Sequence, residues 1–327
     1  MKNKIKIIVT LSGLVTISLH IINRIQYSLT TAKNILKTAA ENEKTEENAY
    51  SGKQYYEWRF GKIFYQKKGS GTPLLLIHDL TTGSSCFEFH RIADELFKTH
   101  EVYLIDLLGY GLSDKPNMTY TNYLYVQLVI DFIKNVIEKK TDIIATGDSV
   151  PIVVMACHND PEVFNRLIFI NPQSLYNLNQ IPSKHTKLFK LFIELPIIGT
   201  FVFNFLTSRA MIEKDFETLY FYDKEKIREK DIQAYLEAAH LPDFHSKFSF
   251  ASYAGKYMNT NIIHSLKEIN HSIFILGGKE KEENETILEN YQYYNNAIET
   301  HMIPDSRQLP HLEVPEKVLE QIYIYLQ

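Results

Sequence analysis

Along the middle of the chain, short and wholly apolar runs alternate with amphipathic stretches. Residues 74–77, 102–105, 143–145 and 167–170 are apolar with almost no polar alternation, which is how strands buried on both faces read. Between them, residues 89–100 and 123–138 carry helical spacing, the second through Val126, Val129, Ile130, Phe132, Ile133, Val136 and Ile137. Residues 55–60 and 63–66 flank Gly61-Lys62 and predict a hairpin. This order predicts a mostly parallel sheet with helices on both faces. From 173 to 268 only helical patterns are found. Apolar blocks at 188–193 and 196–206 are expected to pack mainly on the core. Strand signals return at 272–276 and 298–303, and an amphipathic helix over 315–326 closes the chain. The reading is a core in two parts, 55–172 and 269–327, interrupted by a helical cap over 173–268.

The amino-terminal region has a different pattern. Lys2, Lys4 and Lys6 precede an apolar run over 7–22, interrupted by Thr10, Ser12, Thr16, Ser18 and His20, and Arg24 follows. The run is slightly shorter than the roughly 20 residues of a spanning helix. Residues 1–37 are read as a membrane-anchor helix with its extension, and the Glu/Lys-rich residues 38–54 as a polar linker. A cleaved signal peptide and a surface-lying helix are the other readings. The leading lysines predict an extracytoplasmic domain, and Lys33 and Lys37 weigh against that sidedness.

Composition changes this picture little. The 327 residues are 45% hydrophobic and 23% charged with a net charge of −4, enough for a large core and without the basic field nucleic acid requires. Cys86 and Cys157 lie far apart without metal-ligand spacing and read as thiols. No His/Asp/Glu spacing predicts a metal site, and no cofactor is expected.

Candidate chemistry centres on Thr146-Gly147-Asp148-Ser149-Val150-Pro151, a strand running through a sharp turn into an apolar helix. Ser149 is read at the tip of that turn, with the Val150 N–H facing developing negative charge. A plain capping serine is the other reading.

The order of parts from Tyr55 onward resembles the α/β-hydrolase superfamily, in its branch with a helical cap. Residues 74–80 look like the oxyanion loop, and Asp106-Leu107-Leu108-Gly109-Tyr110-Gly111-Leu112-Ser113-Asp114 like the D-x-x-G-x-G-x-S turn. Gly147-Asp148-Ser149 looks like the nucleophile elbow, followed by the strand at 166–172. Leu276-Gly277-Gly278-Lys279-Glu280 resembles the acid loop, and residues 303–315 the histidine loop. The resemblance implies Ser149 as nucleophile, Leu80 and Val150 as oxyanion donors, and Glu280 as orienting acid, with Glu282 and Glu283 as neighbours. A serine argues against the dehalogenase and epoxide-hydrolase relatives, whose covalent intermediate needs a carboxylate there.

Three positions depart from the family pattern. Pro151 stands where glycine is usual, Asp79 follows His78 where glycine is usual, and Gln308 stands at the position of the base histidine. An amide cannot take a proton near neutral pH. His311, three residues on, could replace it from the same face of a helical turn.

The leading expectation is a membrane-anchored esterase- or lipase-like serine hydrolase, acting on a small, apolar or acyl ester under a greasy cap. The alternative is a hydrolase-fold protein without turnover, serving as a ligand-binding or interaction module. Acyl transfer or carbon–carbon cleavage in the same pocket is a third reading.

Overall fold

The computed structural model describes residues 15, 18–24, 53–241 and 245–327. Most of the expected anchor and nearly all of the linker lie outside the described residues. Among the described residues no single helix is long and apolar enough to cross a membrane.

Eight strands form one sheet in the order β1-β2-β4-β3-β5-β6-β7-β8. They are β1 (Lys53–Trp58), β2 (Gly61–Gly69), β3 (Thr72–Ile77), β4 (His100–Ile105), β5 (Thr141–Thr146), β6 (Phe164–Ile170), β7 (Ile273–Gly278) and β8 (Glu299–Ile303). Strand β2 runs antiparallel to both β1 and β4, and every other pairing is parallel. All-apolar strands are required because both faces are covered. Leu75, Ile77, Ile143, Ala145, Leu167 and Phe169 enter one core, while Leu74, Leu76, Ile144, Ile168 and Ile170 enter the other. This is the two-residue period of a strand, read on both sides.

On the first face lie the helices Asn122–Phe132 and Val150–Asn159, and on the second lies Pro315–Tyr325. Thr121 caps the helix at 122, accepting from the Leu124 N–H at 3.3 Å. A wider turn, Ile133–Ile137, extends it to Glu138, whose φ of 58° stops it. The expected helix over 89–100 is much shorter, a single turn at Ala93–Leu96. Tight turns bury Phe89, Ile92 and Leu96 on the sheet, and β4 already begins at His100.

The hairpin also differs from expectation. Trp58 pairs with Gly61, so Arg59 and Phe60 make the turn and Gly61 opens β2. Gly61 has φ +146°, and a Cβ there would lie 2.8 Å from that of Asp114. The Asp114 carboxylate uses this space to accept from the Lys62 N–H at 2.8 Å.

Between β6 and β7 the described chain is helical, with longer helices at Lys184–Glu194, Ile198–Leu206, Glu229–His240 and Ser246–Ala254. The apolar block at 188–193 does not all pack inward: Leu188, Phe189, Leu191 and Phe192 are exposed. Neither Cys86 nor Cys157 forms a disulfide. Burial pushes the Cys157 thiol up to about 12.

Candidate active-site region

Strand β5 ends at Thr146, and the residue that turns the chain toward the next helix is Gly147, at φ +51°. A nucleophile elbow holds its reactive side chain at this strained position between strand and helix. Gly147 has no side chain to hold there. Ser149 lies two residues further, inside the first helical turn and fully buried. Its hydroxyl donates to the Thr146 carbonyl at 2.7 Å and lies 3.3 Å from the Ile77 carbonyl. The expected exposed hydroxyl is therefore a buried serine tied to the backbone. Pro151 sits in the first turn of the helix, where its missing N–H leaves no bond unmade.

The oxyanion donors of such a fold are the N–H after the elbow residue and an N–H from the loop after β3. Here they are Asp148 and Leu80. Both donate to one atom, Oδ1 of Asp79, each at 2.7 Å. The N–H of Leu80, expected as a donor, is thus one of this pair. Val150 is not: its N–H donates to the Gly147 carbonyl and closes the turn. A Cβ built on Gly147 would overlap the Asp79 carboxylate, so that carboxylate fills the space above the elbow. Burial, then the charges of Asp148 and Glu88, push the Asp79 carboxyl well above the usual range, against the two N–H bonds it accepts. His78 holds the loop from below. Its Nε2 accepts from the Leu107 N–H at 3.0 Å, so Nδ1 carries the proton toward the Asp79 carbonyl at 2.6 Å.

His311 faces elsewhere. It is fully buried, with Nε2 3.1 Å from Glu88 Oε1 and its ring stacked on Phe89 at 5.5 Å. Glu88 also accepts from the Thr146 hydroxyl at 2.6 Å and the Asp79 N–H at 3.2 Å. Burial alone would raise the Glu88 carboxyl. The bond and charge of His311 outweigh it, with the Thr146 hydroxyl and His78 adding to them, and hold the carboxyl below its ordinary value. The displaced-base expectation thus meets a histidine already committed to a buried ion pair, while Ser149 is committed to backbone.

Above the elbow lies a cavity of about 460 Å³ whose lining includes Asp79, Asp148, Asn171, Gln173, Glu280 and Gln308. Gln308 is therefore in the site but offers only an amide. Its backbone carbonyl is held by the Asn171 amide at 2.8 Å. Glu280 lines the cavity half-buried, and its N–H donates to the Ser306 carbonyl. Glu282 lines it too, whereas Glu283 turns the chain into the next helix at φ 58°. Lys281, which sequence reasoning missed, also faces this cavity. Burial pulls its amine down to about 8, opposed by the carboxylates of Asp79 and Asp148. Asp148 accepts from the Tyr253 hydroxyl at 2.7 Å and from Gln173 at 3.1 Å.

Counting from the end of β5 would have marked Gly147, since only the residue that leaves the strand needs a positive φ. No local signal reveals that Asp79 fills the hole. A second grouping invisible in sequence brings His158, His264 and Glu268 together on the surface, with donor atoms within 4.8 Å of one another.

Three solved structures show the same architecture. Cfl2 from Burkholderia cenocepacia aligns with a TM-score of 0.70 at 12% identity, covering 86% of this chain and 98% of that one. The epoxide hydrolase CorEH aligns at 0.67 and 17%, covering 84% and 98%. A variant of the haloalkane dehalogenase DatA from Agrobacterium tumefaciens C58 aligns at 0.65 and 18%, covering 84% and 97%. At these identities the likeness is one of fold. The model of the alpha/beta hydrolase family matches residues 74–321. With the sheet order, the elbow after β5 and the paired N–H donors in their family places, that match makes this chain a member of the alpha/beta hydrolase family.

Proposed function

We propose that this protein is a hydrolase-fold binding module that does not turn over esters, and that its cavity takes a small polar ligand. One observation carries the reading: the Asp79 carboxylate sits on both oxyanion donors, directly over a glycine elbow. Acyl transfer needs a nucleophile at that elbow, a base to take its proton, and two free N–H groups for the oxyanion. Gly147, Gln308 and Asp79 stand against these in turn. The lining is rich in carboxylate, amide and tyrosyl groups, with Lys281 among them, so it suits a ligand that donates hydrogen bonds better than an acyl chain.

The esterase reading would route attack through Ser149, which would have to leave two carbonyls and the interior. A fluorophosphonate probe with p-nitrophenyl acetate separates the two. The natural protein is expected to show neither labelling nor hydrolysis above buffer. The triple variant Gly147→Ser, Asp79→Gly, Gln308→His is expected to gain labelling at residue 147. Labelling of the natural protein that disappears in Ser149→Ala would overturn the proposal.

A further inference from the structure

The cap helix Lys184–Glu194 is inside out. In a surface helix the apolar stripe ordinarily faces the core and the charges face water. Here Leu188, Leu191, Phe192 and Leu195 follow the spacing i, i+3, i+4, i+7, and the stripe points to solvent, with Leu188 67% and Leu191 60% exposed. The inward side carries Lys190 beside the fully buried Ile193. That lysine is buried, pairs with Glu194, and lies over the Tyr257 ring at 5.5 Å. The following helix, Ile198–Leu206, continues the exposed apolar surface through Phe205, 63% exposed. The two helices bend by 103° at their junction, and together they are apolar enough for a bilayer's interior. A soluble monomer rarely exposes contiguous apolar surface of this kind.

The described helical residues 18–24 are held on this pair of helices. The Asn23 amide donates to the Ile197 carbonyl at 3.4 Å, and the Asn204 amide donates to Asn23 Oδ1 at 3.1 Å. In the sequence Asn23 directly follows the apolar run at 7–22. At 1.5 Å per residue, a run of this length reaches about 24 Å as a helix, short of the roughly 30 Å hydrocarbon core. Lys184 and Lys187 flank the exposed stripe and suit anionic headgroups.

We infer that the cap's apolar face docks into the surface of a lipid bilayer, alongside the amino-terminal run. The cap helices lie in the interface with Leu191 and Phe205 at the level of the upper acyl chains, some 5–10 Å deep. This inference is independent of the reading of the cavity.

The test uses the full chain reconstituted with phosphatidylcholine/phosphatidylglycerol vesicles. A polarity-sensitive dye is attached at Leu191→Cys, or at Tyr293→Cys on the helix Asn284–Tyr294, in a Cys86→Ser, Cys157→Ala background. Doxyl-labelled lipid is expected to quench the dye at 191 at least about twofold more than the dye at 293, with aqueous iodide showing the reverse order. If the protein floats with vesicles while iodide, and not the lipid quencher, reaches residue 191, the amino-terminal run alone binds and the inference fails. It fails equally if residue 191 is shielded from both quenchers, since a second copy or another segment of this chain then covers the face.

Discussion

Two buried carboxylates on one loop, Asp79 and Glu88, share a low-dielectric setting and respond in opposite ways. Glu88 has the His311 imidazole beside it. His311 at 3.1 Å and the Thr146 hydroxyl at 2.6 Å keep it ionised below the ordinary range. Asp79 has only two backbone N–H groups, and faces the negative charges of Asp148 and Glu88. Two dipoles do not outweigh burial and two like charges, so its carboxyl titrates high. Burial therefore does not set the protonation state by itself; the sign of the nearest full charge does. The Glu88–His311 pair ties the oxyanion loop to the short helix Pro310–Glu313, while Asp79 occupies the place where reaction would occur.

The contrast can be broken most forcefully at the ion pair. His311→Ala leaves the Glu88 carboxylate buried without its partner and is expected to destabilise the fold by about 3–5 kcal/mol in urea unfolding. A displaced catalytic base would instead leave stability nearly unchanged and remove an activity. Acid weakens this pair. The folded Glu88 pKa lies below the unfolded value, so its contribution is present above the latter and lost as pH falls through the former.

Asp79 has the opposite sign. Its folded pKa lies above the unfolded value of about 3.9. Its contribution is therefore favourable at low pH and lost as pH rises through the folded pKa. Asp79→Asn is expected to stabilise the protein by about 1–2 kcal/mol at pH 8, read as a higher Tm. That advantage should shrink steadily on acidification toward pH 4. A gap that widens on acidification would mean Asp79 is held ionised like Glu88, and the comparison would collapse.

The smallest effect is expected at Ser149. Ser149→Ala removes one buried hydroxyl with its bond to the Thr146 carbonyl, a loss of about 1 kcal/mol. No ester hydrolysis should change with it. An unaltered Tm joined to lost turnover would restore Ser149 as the nucleophile.

The sequence was a good guide where structure is written locally. Apolar runs at 74–77, 102–105 and 167–170 became central strands because a residue covered on both faces of a sheet must be apolar at every position. Gln308 lines the cavity and the Leu80 N–H bonds the Asp79 carboxylate beside it, because each sits at a fixed distance from the end of its strand. The tip of the turn was misplaced by two residues for a related reason. A hydroxyl drew attention to Ser149, although the backbone, and not the side chain, defines an elbow.

What the sequence by itself determined is the layered sheet and its helical interruption, since period and run length are properties of neighbours. What only the tertiary structure decided is what stands over the elbow. Asp79 and Asp148 are 69 positions apart, and their bond exists only because β3 and β5 lie side by side. The outward turn of the cap's apolar stripe is of the same kind. Periodicity shows that Leu188, Leu191 and Leu195 share a face, but the packing of Ile193 against Phe203 and Ala251 sets which way that face looks.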